Sequence, residues 1–200
     1  KGTIVMRRLL LLSNSTNHGG RYLAHAEGEI LDLLADCRRV LFVPFALHDR
    51  AGYTAKFRTR LEELGRGVDE LAADSTGRRQ IETAEAVFVG GGNTFRLLKA
   101  LQESELVAPI RERALAGMPY LGASAGINLA GPTVRTTNDM PIVEPRGFDA
   151  LGLVSFQINP HYLDPDPGST HMGETRAERI AEFHEENSAA VVGLRERAWI

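Results

Sequence analysis

The stretch Pro119-Tyr120-Leu121-Gly122-Ala123-Ser124-Ala125-Gly126 decides how the rest of the chain is read. Residues 119–122 have the length and apolar character of a buried strand, and they run directly into Gly-x-Ser-x-Gly. A serine pressed onto a sharp strand-to-helix turn needs a strained backbone, with small residues two positions before and after it to avoid clashes. The backbone N–H of the next residue, Ala125, then points where an oxyanion would form, beside a helix N-terminus. The segment therefore predicts a strand, an elbow carrying a nucleophilic serine, and a helix.

Outward from this elbow, short apolar runs alternate with longer amphipathic segments, the pattern of a βαβ protein. Strands are predicted at 8–12, 39–45, 68–71 and 86–89 before the elbow, and at 154–158 and 190–194 after it. Helices are predicted at 22–35, 54–64, 78–83, 94–104 and 107–116. Leu9–Leu12 places leucine at four successive positions, as expected of a strand buried on both faces. The fold class that follows is α/β, a mostly parallel sheet sandwiched by helices, in a single domain over 1–200.

A second glycine-rich turn, Val89-Gly90-Gly91-Gly92-Asn93-Thr94, also joins a strand end to a helix. Three glycines let backbone amides approach a ligand, so this loop is a source for a second oxyanion donor. It lacks the lysine and Ser/Thr of a phosphate loop and the spacing of a dinucleotide site. Loops at the carboxyl ends of parallel strands share one crevice, which brings the two glycine turns face to face.

A serine nucleophile needs a base. Of six histidines, His25 and His184 fall in predicted helices, His18 and His48 in early loops, and His171 late in the chain. His161, in Gln157-Ile158-Asn159-Pro160-His161, is expected just past a strand, where catalytic loops gather. The acid that orients it is Asp139, giving the order Ser–Asp–His, or Glu196, giving Ser–His–Glu, and spacing does not choose between them.

Composition narrows the classes. A formal net charge of −3 without a basic block argues against a nucleic-acid partner. No apolar run approaches the roughly 20 residues of a membrane span, and Cys37, the one cysteine, is too isolated for a disulfide or thiolate metal site. A cytoplasmic protein needing no metal or cofactor is expected, as a monomer or a homodimer. Residues 1–5 precede Met6 and read as an addition ahead of a natural start; the abrupt end at Trp199-Ile200 reads as a truncation.

Taken together, Leu11-Leu12-Ser13-Asn14-Ser15-Thr16, Tyr53-Thr54-Ala55-Lys56, Gly90–Phe95, Gly122–Asn128, Arg135–Val143, Ile158–His161 and Gly173-Glu174-Thr175-Arg176 resemble the peptidase E family of aspartyl dipeptidases. The similarity spans Met6 to Ile200, and the run Pro132–Val143 is its most specific part. The resemblance implies a fold related to class I glutamine amidotransferases and release of N-terminal aspartate from Asp-X dipeptides. It implies Ser124 as nucleophile, His161 as base, and oxyanion donors at Gly92 and Ala125. Asp139 and Glu196 both match carboxylates of the catalytic relay, with Glu196 implied as the imidazole partner and Asp139 necessary nearby, holding the substrate amine. Asn93 and Arg176 match substrate-binding positions, Arg176 gripping the aspartyl carboxylate by a bidentate fork. The acid- and proline-rich Asp164-Pro165-Asp166-Pro167-Gly168 departs from the family pattern. Two rivals are a cyanophycinase-like or isoaspartyl peptidase, against which the Asn93-Thr94 continuation speaks, and a non-catalytic binding protein on the same scaffold.

Overall fold

The computed structural model describes residues 6–168, 170 and 172–200; residues 1–5 and His171 lie outside them. The elbow strand, β5 (Tyr120–Ala123), lies second in a five-stranded sheet. The other strands are β1 (Leu9–Leu12), β2 (Arg39–Val43), β3 (Gly67–Glu70) and β4 (Val87–Val89), in the order β1-β5-β4-β2-β3. Every pairing among them is parallel. Crossover helices cover both faces, as parallel strands require. One face carries α1 (Glu27–Leu33) and α2 (Arg50–Glu63). The other carries α3 (Ser75–Thr83), α4 (Thr94–Glu103), α5 (Val107–Leu115) and α6 (Ala125–Ala130).

The leucine run of β1 shows how strand alternation serves two cores at once. Leu10 and Leu12 point to the α1/α2 face, and Leu11 to the opposite one. On the first face Phe42 stacks on Phe57 at 4.2 Å and meets Tyr53 edge-on at 5.0 Å, which fastens α2 to β2. Such pairs add about 0.5–1.5 kcal/mol each beyond the area they bury.

Three helices differ from the sequence expectation, and backbone chemistry explains each. The helix predicted over 22–35 is a short 3-10 turn, Ala24–Ala26, followed by α1, because Leu23 has φ 57° and its N–H bonds to Ser15 O at 2.7 Å. Helix α2 starts four residues before position 54, and α3 three before 78. The Asp49 and Asp74 carboxylates accept the N–H groups of Gly52 and Thr76 and cap them. A helix past Arg176, where His184 was expected to be helical, is α7 (Arg176–Glu186). The reciprocal Thr175–Glu178 capping box starts it, a Thr-x-x-Glu signal present in the sequence.

The two late strands do not join the main sheet. Strands β6 (Gln157–Tyr162) and β7 (Val191–Arg195) pair with each other in parallel. The free edge of β1 is taken by the last residues, where Leu11 and Ile200 exchange both backbone hydrogen bonds.

Near that edge, both ring nitrogens of His25 are buried with no hydrogen-bond partner among the described residues. Burial lowers the pKa of the imidazole from its ordinary 6.5. Above that value both folded and unfolded chains are neutral there, so His25 has no effect. As pH falls through 6.5 the unfolded chain takes the proton first, and stability is lost until the folded pKa is passed. Thermal melts on either side of that pH should therefore separate, and the gap should shrink in His25→Gln.

Candidate active site

The elbow has the strain its sequence implies. Ser124 sits at φ 51°, ψ −107°, between β5 and α6. Its N–H bonds to Leu12 O of β1 at 3.0 Å, and its carbonyl accepts from Ile127 N at 2.9 Å. A Cβ on Gly126 would stand 2.2 Å from Val89 O, and one on Gly122 2.7 Å from Gly126 O, so backbone forbids a side chain at either. The buried Tyr120 hydroxyl, whose pKa burial raises, donates to Gly126 O at 2.7 Å and ties the turn down.

His161 reaches Ser124 by an irregularity. It lies inside β6 rather than just past it. Pro160 pairs with Leu194 and Tyr162 with Arg195, which leaves His161 as an extra residue at φ 53°. A bulge re-aims a side chain that regular pleating would send elsewhere. Its Nε2 stands 2.9 Å from Ser124 Oγ, and its Nδ1 3.2 Å from Glu196 Oε1. Glu196 follows β7 directly, so the β6–β7 pairing brings the imidazole and the carboxylate together. Both remain partly open to solvent, at 37% and 55% side-chain exposure.

Much of the surrounding polar structure braces this arrangement. Ser13, fully buried at the end of β1, accepts from His161 N at 2.9 Å and donates to Leu194 O at 2.8 Å. One hydroxyl thus joins the strand beside the nucleophile to the strands bearing the base and the acid. Next to it, Asn14 Oδ1 accepts from Arg197 N at 2.8 Å, holding the turn that contains Glu196. The specific run after position 132 braces β6 in the same way. Its Thr136 Oγ1 and Asn138 Nδ2 donate to the carbonyls of Ile158 and Pro160, on the approach to His161. The sequence reading gave Ser13 no role, although a first polar residue after a buried strand stands where sites gather. Ser13→Ala removes the hydroxyl that bonds both His161 N and Leu194 O. It should cost about 1–3 kcal/mol of stability and lower kcat more than it raises KM. Steady-state kinetics beside thermal melts check this, and unchanged kcat with lowered stability would reduce Ser13 to a packing role.

Gly92 closes the other side. It has φ 136°, and a Cβ there would meet Ala46 O at 2.6 Å. Gly91 and Gly92 line one cavity of about 470 Å³ with Ser124, His161 and Glu196, within the range of small-ligand pockets. The facing glycine turns expected from sequence are present.

Asp139, Asn93 and Arg176 lie outside the Ser124–His161–Glu196 relay. Asp139 does not touch the imidazole. Its Oδ2 accepts from Thr94 N at 2.7 Å and Thr94 Oγ1 at 2.6 Å, at the N-terminus of α4, where the helix dipole favours a carboxylate. Asn93 caps the same helix by accepting from Arg96 N at 3.0 Å, and its amide donates to Met140 O at 2.9 Å, so its side chain ties the start of α4 to the segment of Asp139. Arg176 lines a separate cleft with Asp164, Asp166 and Glu174, because it opens α7 beyond the acidic, proline-rich segment. Of the other histidines, His18 and His48 are exposed in loops, and neither lines the cavity.

Comparison with known proteins identifies the family. The model of peptidase family S51 matches residues 9–200. A peptidase E from Streptomyces coelicolor is 56% identical over 195 residues, which is 96% of this chain and 79% of the relative. A probable α-aspartyl dipeptidase from Drosophila melanogaster is 51% identical, covering 95% of this chain and 80% of its own. The crystal structure of a candidate peptidase E from Listeria monocytogenes EGD-e superimposes with a TM-score of 0.71 at 26% identity, over 94% of this chain and 90% of that one.

Proposed function

The chain belongs to peptidase family S51, and on that basis we propose a serine-type dipeptidase that hydrolyses Asp-X dipeptides and releases N-terminal aspartate. The observation that carries the mechanism is the relay from Ser124 Oγ to His161 Nε2 at 2.9 Å and from His161 Nδ1 to Glu196 at 3.2 Å. His161 takes the Ser124 proton as Oγ attacks the aspartyl carbonyl carbon. The N–H groups of Gly92 and Ala125 receive the oxyanion, each donor contributing roughly 3–4 kcal/mol in comparable sites. The C–N bond then breaks, and the imidazolium returns the proton to the leaving amine. An aspartyl ester remains on Ser124, and water activated by His161 hydrolyses it. Glu196 keeps the proton on Nδ1 and stabilises the imidazolium, while Asp139 holds Thr94 and, through it, the loop of Gly92. We place the enzyme in the cytoplasm acting on small peptides, with no nucleic-acid or membrane partner.

The test is hydrolysis of Asp-Leu beside Glu-Leu, Asn-Leu and β-Asp-Leu. Preference for Asp-Leu supports the reading. Preference for β-Asp-Leu moves the chain to an isoaspartyl or cyanophycinase-like activity, and cleavage of none by folded protein leaves a binding scaffold.

A further inference from the structure

Glu196 must hold its carboxylate at His161 Nδ1, yet packing does little to fix it there. In β7 only Leu194 is buried, and Arg195, Glu196 and Arg197 are all exposed. A side chain on such a turn keeps one position only where polar contacts restrain the residues beside it, against the entropy of letting them move. On the C-terminal side that restraint is the bond from Arg197 N to Asn14 Oδ1. On the N-terminal side stands Arg195, the last residue of β7, whose guanidinium meets the Asp164 carboxylate in a bidentate fork. Nε donates to Oδ2 at 2.6 Å and Nη2 to Oδ1 at 2.7 Å. Two parallel bonds fix orientation as well as distance. They also hold the Asp164 carboxyl below the usual carboxylate range, so the pair stays ionised at neutral pH.

The place of Asp164 in the chain gives this pair its use. It follows Tyr162, which pairs with Arg195 across the ladder, by two residues, and His161 by three. The bulge that aims His161 is therefore bracketed. Before it Pro160 pairs with Leu194, and after it Tyr162 pairs with Arg195 and the fork closes on Asp164. Pro165 confines the Asp164 backbone to extended conformations. The Tyr162 ring lies on Gly193, where a Cβ would meet it at 2.5 Å, which keeps the two strands together at this end. One ion pair thus joins the segment leaving the base to the residue just before the acid. We propose that Asp164 and Arg195 are positioning residues, a clamp that holds Glu196 at His161, an inference that rests on the serine relay described above.

Asp164→Asn, Arg195→Met and Arg195→Lys are compared with wild type in kcat and KM for Asp-Leu, in the rate of fluorophosphonate labelling at Ser124, and in thermal melts. Asp164→Asn and Arg195→Met should each lower kcat and the labelling rate about 3- to 10-fold with KM changed less than about twofold, a loss kept below that of Glu196→Gln because water competes for an exposed pair. Arg195→Lys keeps the charge without the fork and should recover part of both rates. In a Glu196→Gln background, Asp164→Asn should slow turnover no further. Undiminished labelling in both Asp164→Asn and Arg195→Met, or the same loss from Asp164→Asn with and without Glu196, overturns the clamp. Wild type that labels at Ser124 but does not prefer Asp-Leu removes the substrate reading, while the labelling rates still decide the clamp.

Discussion

Ser124→Ala removes Asp-Leu hydrolysis, with kcat falling by at least about 10⁴-fold, while the protein stays folded. The size follows from what Oγ does: without it no ester forms, and only the oxyanion donors and substrate binding remain to assist water. The fold is untouched because β5 and α6 are anchored by Ser124 N to Leu12 O and by the Tyr120 hydroxyl on Gly126 O, neither of which uses the serine side chain. The same residue carries a cost in stability. A backbone at φ 51°, ψ −107° is uncomfortable for any residue with a Cβ. Ser124→Gly should therefore be as inactive as the alanine variant, yet more stable than it by about 1 kcal/mol and by roughly 2–4 °C in Tm for a domain of this size. Calorimetry of the two variants beside their residual rates checks both halves. Substantial turnover by either would remove Ser124 from the mechanism.

Glu196→Gln is expected to have the second largest effect, lowering kcat by about 10²–10⁴-fold with little change in fold. Its Oε1 is the acceptor at 3.2 Å from Nδ1, and an amide that presents N–H there forces the proton onto Nε2. The Nε2 that should accept from Ser124 then cannot. Half-exposure of Glu196 admits water as a partial substitute, which sets the lower end of the range. Asp139→Asn makes the contrast. It removes a charged acceptor from Thr94 at the start of α4, so it should lower stability by about 0.5–2 kcal/mol and slow turnover less than Glu196→Gln, by loosening the Gly92 loop. Rates and melts of both variants decide. The opposite ranking in kcat would return Asp139 to the relay.

These contrasts follow the line between what was legible in the sequence and what was not. The elbow could be read because its requirements are local: an apolar strand, a serine, and glycines where Val89 O and Gly126 O leave no room for a side chain. The parallel sheet could be read from the alternation of short apolar runs with amphipathic ones, and the glycine loop from its place at the end of β4. What escaped depends on contacts between distant parts of the chain. Nothing near Pro160 announces that His161 is an extra residue in a bulge, because the bulge exists only against Leu194 and Arg195. The separation of β6 and β7 from the main sheet shows only in their pairing with each other, while residues 198–200 bond to the edge of β1. Asp139 and Glu196 were equivalent as letters and differ only in partner, Thr94 for one and His161 for the other. Arg176, which the resemblance implies at the substrate, lines a cleft with Asp164, Asp166 and Glu174 at the start of α7.

Covalent titration asks whether Ser124 is the nucleophile of an aspartyl dipeptidase. The protein is treated with a fluorophosphonate that reacts with activated serines, the adduct is located by peptide mass mapping, and Asp-Leu hydrolysis is followed on the same samples. A single adduct on Ser124 is expected, with loss of activity in proportion to labelling and slower labelling in the presence of Asp-Leu. An adduct on another residue, or full Asp-Leu hydrolysis by protein labelled at Ser124, would contradict the assignment.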